Sequence, residues 1–349
     1  MTSAPRSRNA LRWLVRLLGP LVLVVLLWRF RGAGEVLRTL RGADLLLVAG
    51  AVLLNGPMFL FKVLRWQALL RARRLDYPTS RAWTSFMSSA YLGMVTPGRV
   101  GDAVRAQYLR HDLGLDYSKG LAIVLVDRLC DLYVLALFVA VGMARFGAVI
   151  AGSLAWLLWL GVALTVVGPA VLLVPGLAEG LTHRAWAKLR PGRAAVNPDP
   201  GSEDGAEAGA GGLASFLETL RALVSVRLAW PLAITVVAFA VNYLQGWLLA
   251  SAIGLHFGFV DVLSLMAIAS MLSLLPVSIS GVGVRELFFA LAFPVLGATP
   301  EAGVSYGLLV FASMHVVVAA AGFVSWMVAP PPVGAGAGAT ARAASPAPE

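Results

Sequence analysis

The chain has 349 residues, of which 59% are hydrophobic and 13% charged, with a mean hydropathy of +0.80. Soluble domains average about 45–50% apolar and about 25% charged residues, so a soluble globular protein is excluded and an all-α polytopic membrane protein is indicated. The net charge of +10 would suggest nucleic acid in a soluble chain, but here the arginines crowd at the ends of apolar runs, where they report orientation and lipid headgroups.

In chain order, about six segments are long and apolar enough to cross a bilayer: 12–28, 44–64, 121–143, 153–174, 229–253 and 303–328. The first follows Arg6, Arg8, Arg12 and Arg16 and runs directly into Arg29-Phe30-Arg31. No small-residue cleavage site lies between, so it reads as an uncleaved span rather than a secretory signal.

Two further segments, 83–110 and 261–297, are apolar but broken. The run 83–95 is shorter than the about 20 residues a spanning helix needs, and it ends at Thr96-Pro97-Gly98. Proline lacks a backbone donor and glycine relaxes the chain, so one helix should stop here and another begin. A fresh helix start points unpaired N–H groups outward at the positive end of its dipole. With Arg99 and Arg105 beside it, together with Gly98, Gly101 and Asp102, this is a candidate site for an anion such as phosphate.

The second break carries Pro276, Gly281, Gly283, Arg285 and Glu286. Gly101 precedes Arg105 by the interval that separates Gly281 from Arg285. Coincidence is the bland explanation, since proline and glycine are common in membrane helices. Against it, both copies end an apolar run, and paired interrupted segments in the two halves of a chain point to a transporter's binding site.

Lysine and arginine crowd between residues 62 and 119, including Lys62, Arg65 and Arg71, and again between 183 and 227. The positive-inside rule then places both termini and these two regions in the cytoplasm, although Arg29, Arg31, Arg38 and Arg41 in the first outer loop run against it. Under this topology three spans separate the broken segments. The two are therefore expected to be re-entrant helical hairpins entering from opposite sides, an inverted repeat.

Residues 191–212 read as a cytoplasmic linker, with Asp199, Glu203, Asp204 and Glu207 among Gly, Ala and Pro. Residues 213–227 have helical apolar spacing and are expected on the membrane surface. The tail 329–349, after a transmembrane domain over 1–328, is expected to be disordered.

The third span carries Asp127, Arg128 and Asp131. The two aspartates share a helix face, about a dozen ångströms below Lys119. Charges at such depth must face the interior and find partners. Either they hold the arginines of the first hairpin, or they form an ion pair that only fixes packing. Weaker polar residues are Asn55, Asn242, Tyr243, Gln245 and His315; Asn242 and Gln245 either line a polar path or, as is expected, glue helices, and His315 is expected to be a hydrogen-bonded bundle residue rather than a proton carrier.

No phosphate loop, zinc-binding helix or nucleophile elbow occurs, so no catalytic activity, cofactor or metal site is expected. Cys130, the single cysteine, excludes an intrachain disulfide.

Three ordered motifs carry a resemblance: Tyr91-Leu-Gly with Thr96-Pro97-Gly98-Arg99-x-Gly101-Asp102-x-x-Arg105, then Asp127-Arg128-Leu-x-Asp131, then Leu275-Pro276 through Gly281, Gly283 and Arg285-Glu286. Together they resemble the lysylphosphatidylglycerol synthase transmembrane region family, over roughly 15–328. Asp102 and Asp127 stand where the family often has glutamate, which keeps the charge. The chain is expected to be a stand-alone member, without the soluble acyltransferase-like domain of the bifunctional members. The resemblance therefore implies lipid translocation rather than lysyl transfer.

The expected function is a flippase for an anionic or modified phospholipid or a polyprenyl-phosphate-linked lipid, in a bacterial-type plasma membrane. The alternative is a membrane subunit or enzyme of lipid modification. Expected partners are membrane lipids and a separate lipid-modifying enzyme, and not nucleic acid. In the expected geometry Arg105 and Arg285 face one internal cavity, with Asp127 and Asp131 beside the first.

Overall fold

A computed structural model describes residues 33–150, 159, 163, 167, 203–224, 228–274 and 281–332. The expected span at 12–28, most of that at 153–174, the linker before 203, Pro276 and the tail beyond 332 lie outside the described residues.

Helix α1 (Ala33–Arg41) is short and amphipathic. Asp44 then caps α2 (Leu45–Leu53), its carboxylate accepting from the Leu46 N–H at 2.8 Å. Pro57 has no N–H, and its ring crowds the carbonyl four residues back, so α2 stops at Leu53 and α3 (Asn55–Ala72) resumes after a bend. Together they form a 28-residue apolar unit, about 42 Å long at 1.5 Å per residue.

α4 (Thr79–Val95) ends at extended Thr96, and a 3-10 segment (Pro97–Ala103) turns the chain back into α5 (Val104–Leu113). Left-handed Gly114 (φ 64°) closes α5, and α6 (Tyr117–Ile150) follows as one helix of 34 residues. α7 (Glu203–Val224) lies against α6, burying Leu217, Leu220 and Leu223. It begins within the stretch that composition assigns to a linker, at Glu203 rather than at Leu213.

α8 (Ala229–Ala252) opens the second half and runs antiparallel to α2–α3. Three bonds fix that direction. The Asp44 N–H donates to the Ala252 carbonyl at 2.8 Å, Gln245 Nε2 to the Ala51 carbonyl at 2.9 Å, and Arg65 Nη1 to Thr235 Oγ1 at 3.2 Å.

α9 (Phe259–Leu272) and α10 (Val284–Ala292) form the second hairpin, and a 3-10 turn (Phe293–Leu296) follows. The last span is α11 (Pro300–Val310), a π-helical turn (Phe311–Val316) and α12 (Val317–Val328). α1 covers the second hairpin, with Val36 buried against Ala290 and Val304. No strand occurs among the described residues. The fold is an all-α membrane architecture.

The halves interlock by exchange. The inbound helix of each hairpin packs on a long helix or span of the other half, α4 on α12 and α9 on α6. The outbound helices stay at home, α5 on α6 and α10 on α11. Glycines make each approach possible. A Cβ on Gly322 would meet the Met87 carbonyl at 2.7 Å, and one on Gly142 the Ser264 carbonyl at 3.0 Å. One on Gly303 would stand 2.5 Å from the Phe289 carbonyl, and one on Gly120 would stand 3.1 Å from the Ala106 Cβ. Close small-residue packing is how membrane helices associate without a hydrophobic driving force between them.

The hairpins approach from opposite ends of α6. The base of the first adjoins the start of α6, whereas the second begins where Asp261 pairs with Arg145 at 3.0 Å, near the far end. Extending the antiparallel register of α9 on α6 brings its inner end near Val134, about one turn from Asp131.

Candidate functional site

The first hairpin is held shut by its own side chains. Thr96 Oγ1 donates to the Leu92 carbonyl at 2.7 Å and accepts from the Gly101 N–H at 2.8 Å, which folds the turn over the end of α4. A Cβ on Gly101 would stand 2.3 Å from the Leu92 carbonyl carbon, so only glycine lets the return strand lie this close. The Asp102 carboxylate rests against Gly93 and pairs with Arg128 Nη2 at 3.0 Å. Pro97 opens the 3-10 segment, followed by Gly98.

Behind this turn lies a buried ion network. Arg65 Nε donates to Asp127 at 2.8 Å, and Arg65 Nη1 reaches Asp131 at 2.5 Å. Arg105 Nη1 binds the other oxygen of Asp127 at 2.8 Å. Arg65, Arg105 and Asp127 are wholly buried. Arg128 bridges to Asp131 at 3.4 Å, and Lys62 stands 3.7 Å from the same carboxylate. The Arg105 guanidinium is also covered on its faces by Trp66 at 4.5 Å and Phe86 at 4.6 Å. Cation–π attraction replaces part of the lost hydration.

Arg99 differs from all of these. It occupies the left-handed region at φ 57°, a conformation that costs a non-glycine residue about 1 kcal/mol or more. Its side chain is exposed, and among the described residues it makes no hydrogen bond or ion pair.

At the second hairpin, Arg285 donates from Nε and Nη2 to Glu286 Oε1 at 3.1 and 2.7 Å. The other oxygen, Oε2, accepts from the Gly283 N–H at 2.6 Å. The start of α10, where the motif suggests an external anion, is therefore filled by the chain's own carboxylate. Gly281 and Gly283 hold φ of 77° and 86°, and Gly281 lies so close to Ser273 that a Cβ would meet its Oγ at 2.3 Å. Arg285 also lies over the Phe311 ring at 5.6 Å, and Phe311 stacks on His315 at 5.5 Å.

Sequence reading therefore finds most of the members and sets Asp127 beside Arg105, but misses Arg65 between the two aspartates. Asp102, Arg105, Asp127, Arg128 and Asp131 come together at the first hairpin, and Gly281, Gly283, Arg285 and Glu286 at the second. The expectation that Arg105 and Arg285 open onto one cavity is not met. Arg105 is sealed beneath Trp66 and Phe86, and no contact joins it to Arg285 among the described residues.

Arg65 and Lys62 escape sequence analysis, where they count only as orientation charges. A usable signal existed. Arg65 sits inside an apolar run beside Trp66, well before the arginine cluster 71–74 that marks the membrane boundary.

Residues 15–322 match the lysylphosphatidylglycerol synthase TM region family. The chain belongs to that family. Two curated proteins are similar to this chain. Glycosyltransferase AglD of Haloferax volcanii is 26% identical over 352 residues, covering 92% of this chain but only 55% of AglD. UPF0104 membrane protein PH1989 of Pyrococcus horikoshii is 21% identical over 310 residues, covering 85% of this chain and 91% of that protein. This chain thus spans little more than half of AglD and nearly all of the second relative.

Proposed function

We propose that the protein moves a lipid with an anionic, phosphate-bearing headgroup between the leaflets of a bacterial-type plasma membrane, with both termini cytoplasmic. One observation carries the reading. The network at the first hairpin pairs four cations, Lys62, Arg65, Arg105 and Arg128, with three carboxylates, Asp102, Asp127 and Asp131, and Arg99 stands unpaired among the described residues on the same turn. The surplus is positive, lies at membrane depth and ends in an unpaired arginine. Such a surplus is costly in hydrocarbon unless a counter-anion or water relieves it. A lipid phosphate supplies that anion while its acyl chains remain in the bilayer.

The division of labour follows from burial. Arg65 and Arg105 brace the hairpin through Asp127, whereas Arg99 and Lys62 face the headgroup. Reconstitution in proteoliposomes with a labelled phosphatidylglycerol tests this. Arg99→Gln is expected to slow headgroup exposure about tenfold or more while the protein stays folded, because one charge-assisted contact is worth about 1.5–3 kcal/mol. Unchanged flipping in Arg99→Gln and in Lys62→Gln would overturn the assignment.

A second reading has one observation in its favour, since a relative that this chain covers over 55% of its length is named as a glycosyltransferase. In that reading the protein is the membrane part of a lipid-linked transfer system working with a separate enzyme. Mass spectrometry of lipids incubated with the purified protein and a sugar donor separates the two, because only transfer yields a new covalent species.

A further inference from the structure

The ion network at the first hairpin has one open edge. The side chains of Arg65, Arg105 and Asp127 are sealed at 0% exposure, whereas those of Lys62, Arg128 and Asp131 keep 19%, 20% and 13%. These three meet at Asp131. Lys62 Nζ stands 3.7 Å from Asp131 Oδ1, and Arg128 Nη1 stands 3.4 Å from Oδ2. The accessible edge therefore alternates in charge: ammonium, carboxylate, guanidinium.

Hydrogen bonding at this edge is unevenly spent. Asp131 Oδ1 takes the short contact from Arg65 Nη1 at 2.5 Å. Oδ2 has only the long one from Arg128 among the described residues, and a carboxylate oxygen so placed has room for a further donor. Lys62 is too far from Asp131 for a hydrogen bond and makes none among the described residues, so its N–H groups are uncommitted. The Phe239 ring lies 5.6 Å from the Lys62 ammonium and stacks on Phe138 at 6.2 Å, which gives the edge an apolar wall.

This pattern selects among headgroups. Lys62 and Arg128 suit phosphate oxygens, but Asp131 between them repels a second charged oxygen, which disfavours a phosphate monoester. An ammonium on the headgroup suits Asp131 and yet lies against both cations, at 3.7 and 3.4 Å from the same carboxylate. A hydroxyl donates to Oδ2 and brings no charge to either neighbour.

We infer that the headgroup is a phosphodiester carrying a hydroxyl beside the phosphate, as a glycerol or a sugar does. Lys62 and Arg128 hold the phosphate, and Asp131 Oδ2 accepts from the hydroxyl and sets the specificity. The inference rests on the phosphate reading proposed above and adds to it the class of headgroup.

The test compares lipids of equal charge. The full chain in phosphatidylcholine nanodiscs is titrated calorimetrically with short-chain phosphatidylglycerol and with phosphatidylethanol, a phosphodiester of the same charge without a hydroxyl. Phosphatidylethanolamine and a short polyprenyl phosphoglucose are the further arms. Wild type should bind phosphatidylglycerol, the phosphoglucose or both about tenfold or more tighter than phosphatidylethanol, because hydrogen bonds to a charged acceptor are among the stronger ones. The tighter of the two names glycerol or sugar as the source. Phosphatidylethanolamine should bind more weakly than either. In Asp131→Asn the preference over phosphatidylethanol should vanish, whereas in Lys62→Gln all anionic lipids should weaken together with their ratio kept. That ratio is a readout that a merely structural loss would not move.

Equal binding of all three anionic lipids by the wild type overturns the inference and leaves the phosphate site standing. A preference that survives in Asp131→Asn, or tightest binding of phosphatidylethanolamine, also overturns it. Absence of binding by every anionic lipid overturns both readings. Should Asp131→Asn fail to fold, since it also holds Arg65, the wild-type lipid series and the ratio in Lys62→Gln decide the matter.

Discussion

The two halves of the molecule share a scaffold and differ in charge. Each sends a helix inward, turns at a glycine, and returns with an arginine at the start of the outbound helix, Arg105 in one and Arg285 in the other. In each, a carboxylate covers that arginine. The first half takes it from the neighbouring span, Asp127 on α6, which must also serve Arg65. The second takes it from the next residue, Glu286, which packs over Gly307 on α11, where a Cβ would meet Glu286 Cγ at 2.9 Å. The second hairpin is thereby neutral within itself, and the first is left with a positive surplus. The two outbound helices are built alike, and the positive surplus belongs to one of them.

The sharpest way to break this comparison is to remove the shared carboxylate. Asp127→Asn leaves two buried guanidinium groups without a counter-charge and should destabilise the fold by about 3–5 kcal/mol or more. Thermal unfolding in detergent should show a collapse of the midpoint or loss of monodisperse protein. Retention of wild-type stability would mean that water, not Asp127, compensates Arg65 and Arg105.

Glu286→Gln should cost less, about 2 kcal/mol, because only one guanidinium loses its partner and the amide oxygen can still accept from the Gly283 N–H. The same unfolding assay ranks the two. A larger loss for Glu286→Gln than for Asp127→Asn would reverse the assigned asymmetry.

The glycine contacts sharpen the comparison further. Gly303→Ala drives a methyl into a backbone carbonyl at 2.5 Å and should cost about 1–3 kcal/mol, whereas Gly120→Ala meets Ala106 Cβ and Cα at 3.1 and 3.2 Å and should cost under about 1 kcal/mol. Equal midpoints for the two variants would show that the second outbound helix can shift to make room.

The smallest effect has the opposite sign. Arg99→Gly relieves the left-handed backbone and should stabilise the protein by up to about 1 kcal/mol while headgroup exposure falls. A residue held in strain that improves stability when removed, yet harms transport, is there for the headgroup. Loss of stability in Arg99→Gly would instead assign it a structural role.

The sequence by itself determined the medium, the helical class and the break at residues 96–98. Each of those rests on local chemistry: apolar length sets the spans, proline and glycine set the interruption, and the repeated interval from Gly101 to Arg105 and from Gly281 to Arg285 marks corresponding turns. It also delivered the buried charges as a set, because Asp127, Arg128 and Asp131 cannot stay unpartnered at that depth. What only the tertiary structure decided was who partners whom. Arg65, read as a boundary charge, turned out to be the centre of the network, and Arg105, read as the ligand, its brace. Arg99 was left free by a backbone conformation that no residue type announces. The physical reason is rotational: helices apolar on every side give no stripe from which to read the facing partner. Pairing across elements then depends on how closely glycines let them approach, and that is settled only when all the helices are in place.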